Sequence, residues 1–187
     1  MAIEAQTSVL STKLLRMHRL LDTDGNGEIS ETDLTALPNL LAPAFGQPAG
    51  GPKAERLRKA LAVIWTRHLA HMDTNGNGEI DLEEYERGIR QSIATDRLGL
   101  VTDSIEVAAA LLGLCDTNGN GLVDRDEYRT IMDTLFGLAP DVSDAAFSHL
   151  DRNGDGALEP QEFQAAVADY FTSEDPEAGG NWLFGPL

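Results

Sequence analysis

Four runs of twelve residues, DTDGNGEISETD from Asp22, DTNGNGEIDLEE from Asp73, DTNGNGLVDRDE from Asp116 and DRNGDGALEPQE from Asp151, repeat one arrangement of oxygen donors. Positions 1, 3 and 5 carry Asp22, Asp24 and Asn26; Asp73, Asn75 and Asn77; Asp116, Asn118 and Asn120; and Asp151, Asn153 and Asp155. Position 7 can offer a main-chain carbonyl whatever its side chain, so Glu28, Glu79, Leu122 and Ala157 are equivalent there. Position 9, filled by Ser30, Asp81, Asp124 and Glu159, commonly acts through a water, and position 12 supplies the acids Asp33, Glu84, Glu127 and Glu162. This is the donor set of a hard cation: Ca²⁺ takes six to eight oxygens at about 2.3 to 2.6 Å. A glycine stands at position 6 each time, Gly27, Gly78, Gly121 and Gly156, where the chain must turn sharply. A single run of this kind is an ordinary Asx/Gly surface turn. Four in register are not.

The oxygens converge only if firm elements hold each loop by its ends. Ahead of the loops, apolar residues recur every three or four positions: Leu14, Met17 and Leu21; Leu57, Leu61, Ile64, Trp65 and Met72; Ile105, Ala108, Leu111, Leu112 and Cys115; Phe147 and Leu150. The register resumes behind position 12 at Leu34, Tyr85, Tyr128 and Phe163. These stripes predict a helix on either side of every loop, eight in all. Position 8 is aliphatic throughout, Ile29, Ile80, Val123 and Leu158, and short antiparallel β-bridges between paired loops would bury it. Pro160 suits the first turn of an exiting helix. Pro38 predicts an early end to the helix after loop one, with LAPAFGQPAGGP as an irregular linker.

With these flanks the loops resemble EF-hands, and loops two, three and four match D-x-[DN]-x-[DN]-G-x₅-E outright. The resemblance implies an all-α fold: four EF-hands, eight helices, in two pairs packed into one compact globule. Loop one closes on Asp33, one methylene shorter than Glu. Weaker Ca²⁺ binding is expected there, or a site that accepts Mg²⁺, which prefers six ligands at about 2.0 to 2.1 Å. The loops start 51, 43 and 35 residues apart, unlike the even spacing of calmodulin. That irregularity, the length and an appended tail make the chain similar to the sarcoplasmic calcium-binding protein family and its calerythrin branch over essentially its whole length. The resemblance implies a Ca²⁺ buffer or signal modulator, and a cytoplasmic address is expected by default from the sequence, which reads without a leader or membrane-crossing run. Family members typically carry one or two damaged loops, whereas all four here keep their donors, so up to four Ca²⁺ are expected. The corresponding division is residues 1–99 for the first pair, 100–171 for the second, and 172–187 for a tail whose Trp182, Leu183 and Phe184 dock on the core.

Composition narrows the alternatives. The 187 residues carry 31 acidic against 14 basic groups, a formal charge of −17, with 42% hydrophobic content. Such a field repels phosphate backbones and anionic bilayers, so neither nucleic acid nor membrane is an expected partner. Cations are, and basic peptides fit as well. No segment reads as a leader or as long and apolar enough to cross a bilayer. One cysteine, Cys115, requires no oxidising compartment and reads as a buried, inert thiol. His68 and His71, three apart, could grip a transition metal but lack a third ligand nearby and read as packing or surface residues. No catalytic arrangement is legible, so a non-enzymatic monomer is expected, needing no protein partner. Two other readings are a Ca²⁺ sensor that opens onto a partner helix, which four methionines argue against, and a luciferin-binding or photoprotein-like carrier. The carrier's cavity would draw on Trp65, Tyr85, Tyr128, His18, His149 and Trp182.

Overall fold

A computed structural model describes residues 8–187. The chain runs α1 (Val9–Leu21), α2 (Glu31–Ala44), α3 (Pro52–Arg67), a 3₁₀ turn (Leu69–His71), α4 (Leu82–Cys115), β1 (Val123–Asp124), α5 (Arg125–Phe136), α6 (Pro140–Leu150), β2 (Ala157–Leu158), α7 (Pro160–Thr172) and a second 3₁₀ turn (Gly179–Trp182). Loops one to four fall between α1 and α2, α3 and α4, α4 and α5, and α6 and α7. The exit helices α2, α4, α5 and α7 begin at position 10 of their loops. The position-9 residues Ser30, Asp81, Asp124 and Glu159 are their N-caps, each in a capping box with the position-12 acid. The loop sequence thus starts the helix that follows it.

Two expectations about the helices need correction. Among the described residues seven α-helical segments stand where eight helices were expected, the longest being two helices joined across a kink. The exit helix of loop two and the entry helix of loop three run together as α4, because no proline or turn cluster separates them. The joint is marked at Asp96, whose backbone leaves the helical region (φ −147°, ψ 57°) and whose carboxylate accepts the Gly99 amide at 3.0 Å. Nor does Pro38 end α2. The helix continues through Pro38 and Pro43 to Ala44, held by the burial of Leu34, Leu37, Pro38, Leu41 and Ala42 along one side. Tertiary packing here outweighs the lost amide hydrogen bond. A third correction concerns α4, which contains an 18-residue stretch of mean hydropathy 1.7, long and apolar enough by length and composition to cross a bilayer. Its Leu100, Ala108, Ala110, Leu114 and Cys115 are instead buried in the common core.

Paired loops meet through position 8. Ile29 and Ile80 exchange main-chain hydrogen bonds of 2.9 Å in both directions, and Val123 lies opposite Leu158 in the antiparallel β1–β2 pair. All four side chains are buried. Around these bridges α3 packs on α2 and α4, α7 on α1 and α4, and α2 reaches α5, so one contiguous apolar cluster joins both loop pairs. It encloses an apolar cavity of about 100 Å³ walled by residues including Met17, Leu61, Tyr85, Phe163, Leu183 and Phe184.

The last fifteen residues fold back onto this core. Leu183 and Phe184 are buried and Trp182 is half-buried, its ring stacked on His149 at 3.8 Å. Gly180 permits the approach, since a Cβ there would stand 2.5 Å from both the Ala166 carbonyl oxygen and the Tyr170 amide nitrogen. Polar clamps hold the segment. The Arg16 guanidinium donates to the carbonyls of Phe184 and Gly185 at 2.9 Å and of Pro186 at 2.6 Å, and the Tyr128 hydroxyl lies 3.3 Å from those of Trp182 and Leu183.

Candidate metal centres

Each loop is a mesh of side-chain oxygens accepting the loop's own amides. At position 1, Asp73, Asp116 and Asp151 each take the amides of the glycines at positions 4 and 6, at 2.7 to 3.0 Å. In loop one Asp22 takes Asn26 and Gly27 instead. Position 3 accepts from position 5, and position 5 from position 7, in all four loops. Both glycines of every loop have positive φ, 74° at Gly25 and 93° at Gly27 for example, a region that L side chains rarely enter. The consequence is an inward convergence of oxygens. In loop one, carboxylate oxygens of Asp22, Asp24 and Asp33 all lie within 4.8 Å of one another, about the diameter of a Ca²⁺ oxygen shell.

Position 12 closes each mesh. Glu84 takes the amide of Thr74 at 2.9 Å on one oxygen and that of Asp81 at 3.3 Å on the other. Glu127 does the same with Thr117 and Asp124, and Glu162 with Arg152 and Glu159. Asp33, though shorter, spans Thr23 at 3.1 Å and Ser30 at 2.9 Å. It lacks the further amide from position 3 that Asn75 gives Glu84 and Asn153 gives Glu162, both at 3.2 Å. Burial pushes the Asp33 and Glu84 carboxyls up, and hydrogen bonds from positions 2 and 9 outweigh it, holding both below the usual carboxylate range.

These four acids are the most informative groups in the molecule. Asp33, Glu84, Glu127 and Glu162 are 3, 4, 6 and 9% exposed, and among the described residues none forms an ion pair with Lys, Arg or His. A buried carboxylate without a counter-charge is costly. The donor set around each fits a hard divalent cation, which would supply that charge.

Sequence reasoning passed over position 2. Thr23, Thr74 and Thr117 add a hydroxyl bond to the position-12 carboxylate, at 2.9, 2.8 and 2.8 Å. The recurring Asp-Thr that opens three loops carried that signal. In the first loop pair the position-7 acids interact: the Glu28 carboxyl is pushed up, first by Glu79 across the pair.

The remaining candidates are packing residues. His68 donates to the Asp103 carboxylate at 2.9 Å beside Arg67, and no group of three ligating side chains forms around His68 and His71 among the described residues. Cys115 is buried, which pushes its thiol far above the ordinary range. Of the aromatic and histidine residues considered for a carrier cavity, only Tyr85 lines the apolar cavity. His18 sits 3.1 Å from the Ile80 carbonyl, and His149 is occupied by Trp182.

Comparison with known proteins agrees with this geometry. The EF hand family model matches residues 69–89, 110–132 and 144–168, which contain the whole of loops two, three and four, and leaves loop one outside. Calerythrin of Saccharopolyspora erythraea is 25% identical over 166 residues, covering 88% of this chain and 93% of its own. A solved calcium-binding protein of Streptomyces coelicolor superposes with a TM-score of 0.74 at 26% identity, over 87% of this chain and 98% of that one. The coelenterazine-binding protein of Renilla muelleri shares the fold, with a TM-score of 0.70 at 20% identity over 95% and 96%.

Proposed function

We propose that this chain, an EF-hand calcium-binding protein resembling calerythrin, holds up to four Ca²⁺ as a cytoplasmic buffer or signal modulator without catalytic activity of its own. The observation that carries this reading is the set of four buried position-12 carboxylates with no basic partner. Positions 1, 3, 5, 7 and 12 of each loop are the assigned ligands, and loop one, closed by Asp33, takes Mg²⁺ more readily than the others. Residues 1–99 and 100–171 act as two loop pairs and 172–187 as a docked tail on a monomer. A carrier role is disfavoured by the placement of Trp65, Tyr128, His18, His149 and Trp182, none of which lines the apolar cavity.

Calorimetric titration with Ca²⁺, repeated in millimolar Mg²⁺, tests the reading; four ions are expected, with loop one the most Mg²⁺-sensitive. Glu84→Gln, Glu127→Gln and Glu162→Gln are each expected to remove or severely weaken one site. Glutamine keeps one acceptor for the capping box but sets a donor NH₂ where the second oxygen accepted a loop amide, so a loss reads the missing charge, ligating oxygen and hydrogen bond together. Asp33→Glu is expected to raise Ca²⁺ affinity or selectivity over Mg²⁺ at loop one, and no gain would count against the reach argument. Full stoichiometry in all three Gln variants would dismiss the ligand assignment.

A further inference from the structure

Loop three is touched by a basic group that comes from the other loop pair. Lys53, in the first turn of α3, extends its ammonium to the main-chain carbonyl of Asp116 at 2.6 Å. Asp116 is both the C-cap of α4 and the first donor position of loop three, its carboxylate turned back onto the amides of Gly119 and Gly121. Carbonyl dipoles collect at a helix C-terminus, so an ammonium is favourable there. The same charge stands beside a cluster of oxygens suited to a divalent cation, and two positive charges repel.

Other basic side chains near the loops are balanced by acids outside the donor set. Arg87, which donates to Thr74 of loop two, pairs with Glu83 at 3.6 Å; Arg125 in loop three pairs with Asp144 at 3.7 Å; Arg152 in loop four pairs with Asp169 at 3.5 Å. Lys53 forms no ion pair among the described residues. Its charge therefore acts on the loop without a local counter-charge.

We propose that Lys53 is an affinity-setting residue of loop three, holding its Ca²⁺ affinity below what the loop's own donors would give. This rests on the reading of loop three as a Ca²⁺ site. The test is a Ca²⁺ titration of the full chain at low salt, followed by NMR at the Gly121 amide, which donates to Asp116 at 3.0 Å. The amides of Gly78 and Gly156, in equivalent bonds, serve as internal controls. Lys53→Gln is expected to tighten binding at loop three about three- to tenfold, the size of effect that a unit charge several Å from a divalent ion has in a water-like dielectric. Loops two and four are expected to stay within about twofold of the wild type, as charges farther away are screened. Lys53→Arg keeps the charge and is expected to keep wild-type affinity. At about 1 M salt, where the Debye length is about 3 Å, the gain is expected to vanish. Unchanged or weaker binding in Lys53→Gln overturns the assignment, as does a Lys53→Arg variant that behaves like it or a gain that persists at high salt. A Gly121 signal that ignores Ca²⁺ in both wild type and Lys53→Gln overturns instead the reading of loop three as a site, and the assignment with it.

Discussion

Stripping divalent cations with excess chelator is expected to lower the melting temperature by about 20 to 40 °C relative to saturating Ca²⁺. An ion that binds only the folded chain at 100 times its dissociation constant stabilises by about 2.7 kcal/mol, and four such sites sum to about 11 kcal/mol. In a chain of this size each kcal/mol moves the midpoint by about 2 to 4 °C. The structural cause lies in the loops: carboxylates of Asp22, Asp24 and Asp33 crowd within 4.8 Å, and four buried position-12 acids have no basic partner. Four Ca²⁺ would also reduce the formal charge from −17 to about −9, relieving repulsion across the whole molecule. Differential scanning calorimetry in chelator, Mg²⁺ and Ca²⁺ gives the comparison. Coincident transitions in chelator and Ca²⁺ would dismiss the four loops as ligand sites.

What the sequence made legible is what local spacing controls. The donor positions, the left-handed glycines and the aliphatic position 8 all act within a dozen residues, so their periodicity carried them. Where contacts bridge distant parts of the chain, local rules failed. Pro38 lies in mid-helix because residues of α2 around it are buried, a packing effect invisible to a propensity rule. Asp96 breaks α4 without any turn cluster. Lys13 is 0% exposed, its ammonium donating to the carbonyls of Ser173 at 2.7 Å and Asp169 at 3.2 Å. Burial lowers its pKa, with Glu174 and Asp169 opposing the shift. Lys13, Arg16 and Lys53 all end on main-chain carbonyls far away in sequence, and no one-dimensional pattern announces such a partner. The donor positions were readable; the groups that fasten the loops to the rest of the molecule were not.

Truncation after Gly180 is expected to convert a protein that ignores hydrophobic dyes and amphipathic peptides into one that binds them in Ca²⁺. The tail brings Leu183 and Phe184 against the cavity wall and sets Phe184 edge-on to Tyr170 at 5.2 Å and tilted against Phe136 at 5.6 Å. At roughly 25 cal/mol per Å² such burial is worth several kcal/mol. Ordering residues 181–187 opposes it by about 1 to 2 kcal/mol each, so apolar contact alone does not hold the tail. The charge-assisted bonds from Arg16 to three carbonyls tip it towards the docked state, at about 1.5 to 3 kcal/mol each. Arg16→Ala with the tail intact is therefore expected to show part of the truncation phenotype, with Trp182 emission shifting to the red as it leaves His149. If intact and truncated chains bind dye equally in Ca²⁺, or if Trp182 of the intact loaded protein already emits as a water-exposed indole, the tail is no plug. A sensor that receives an outside helix then becomes the better account of the same apolar face.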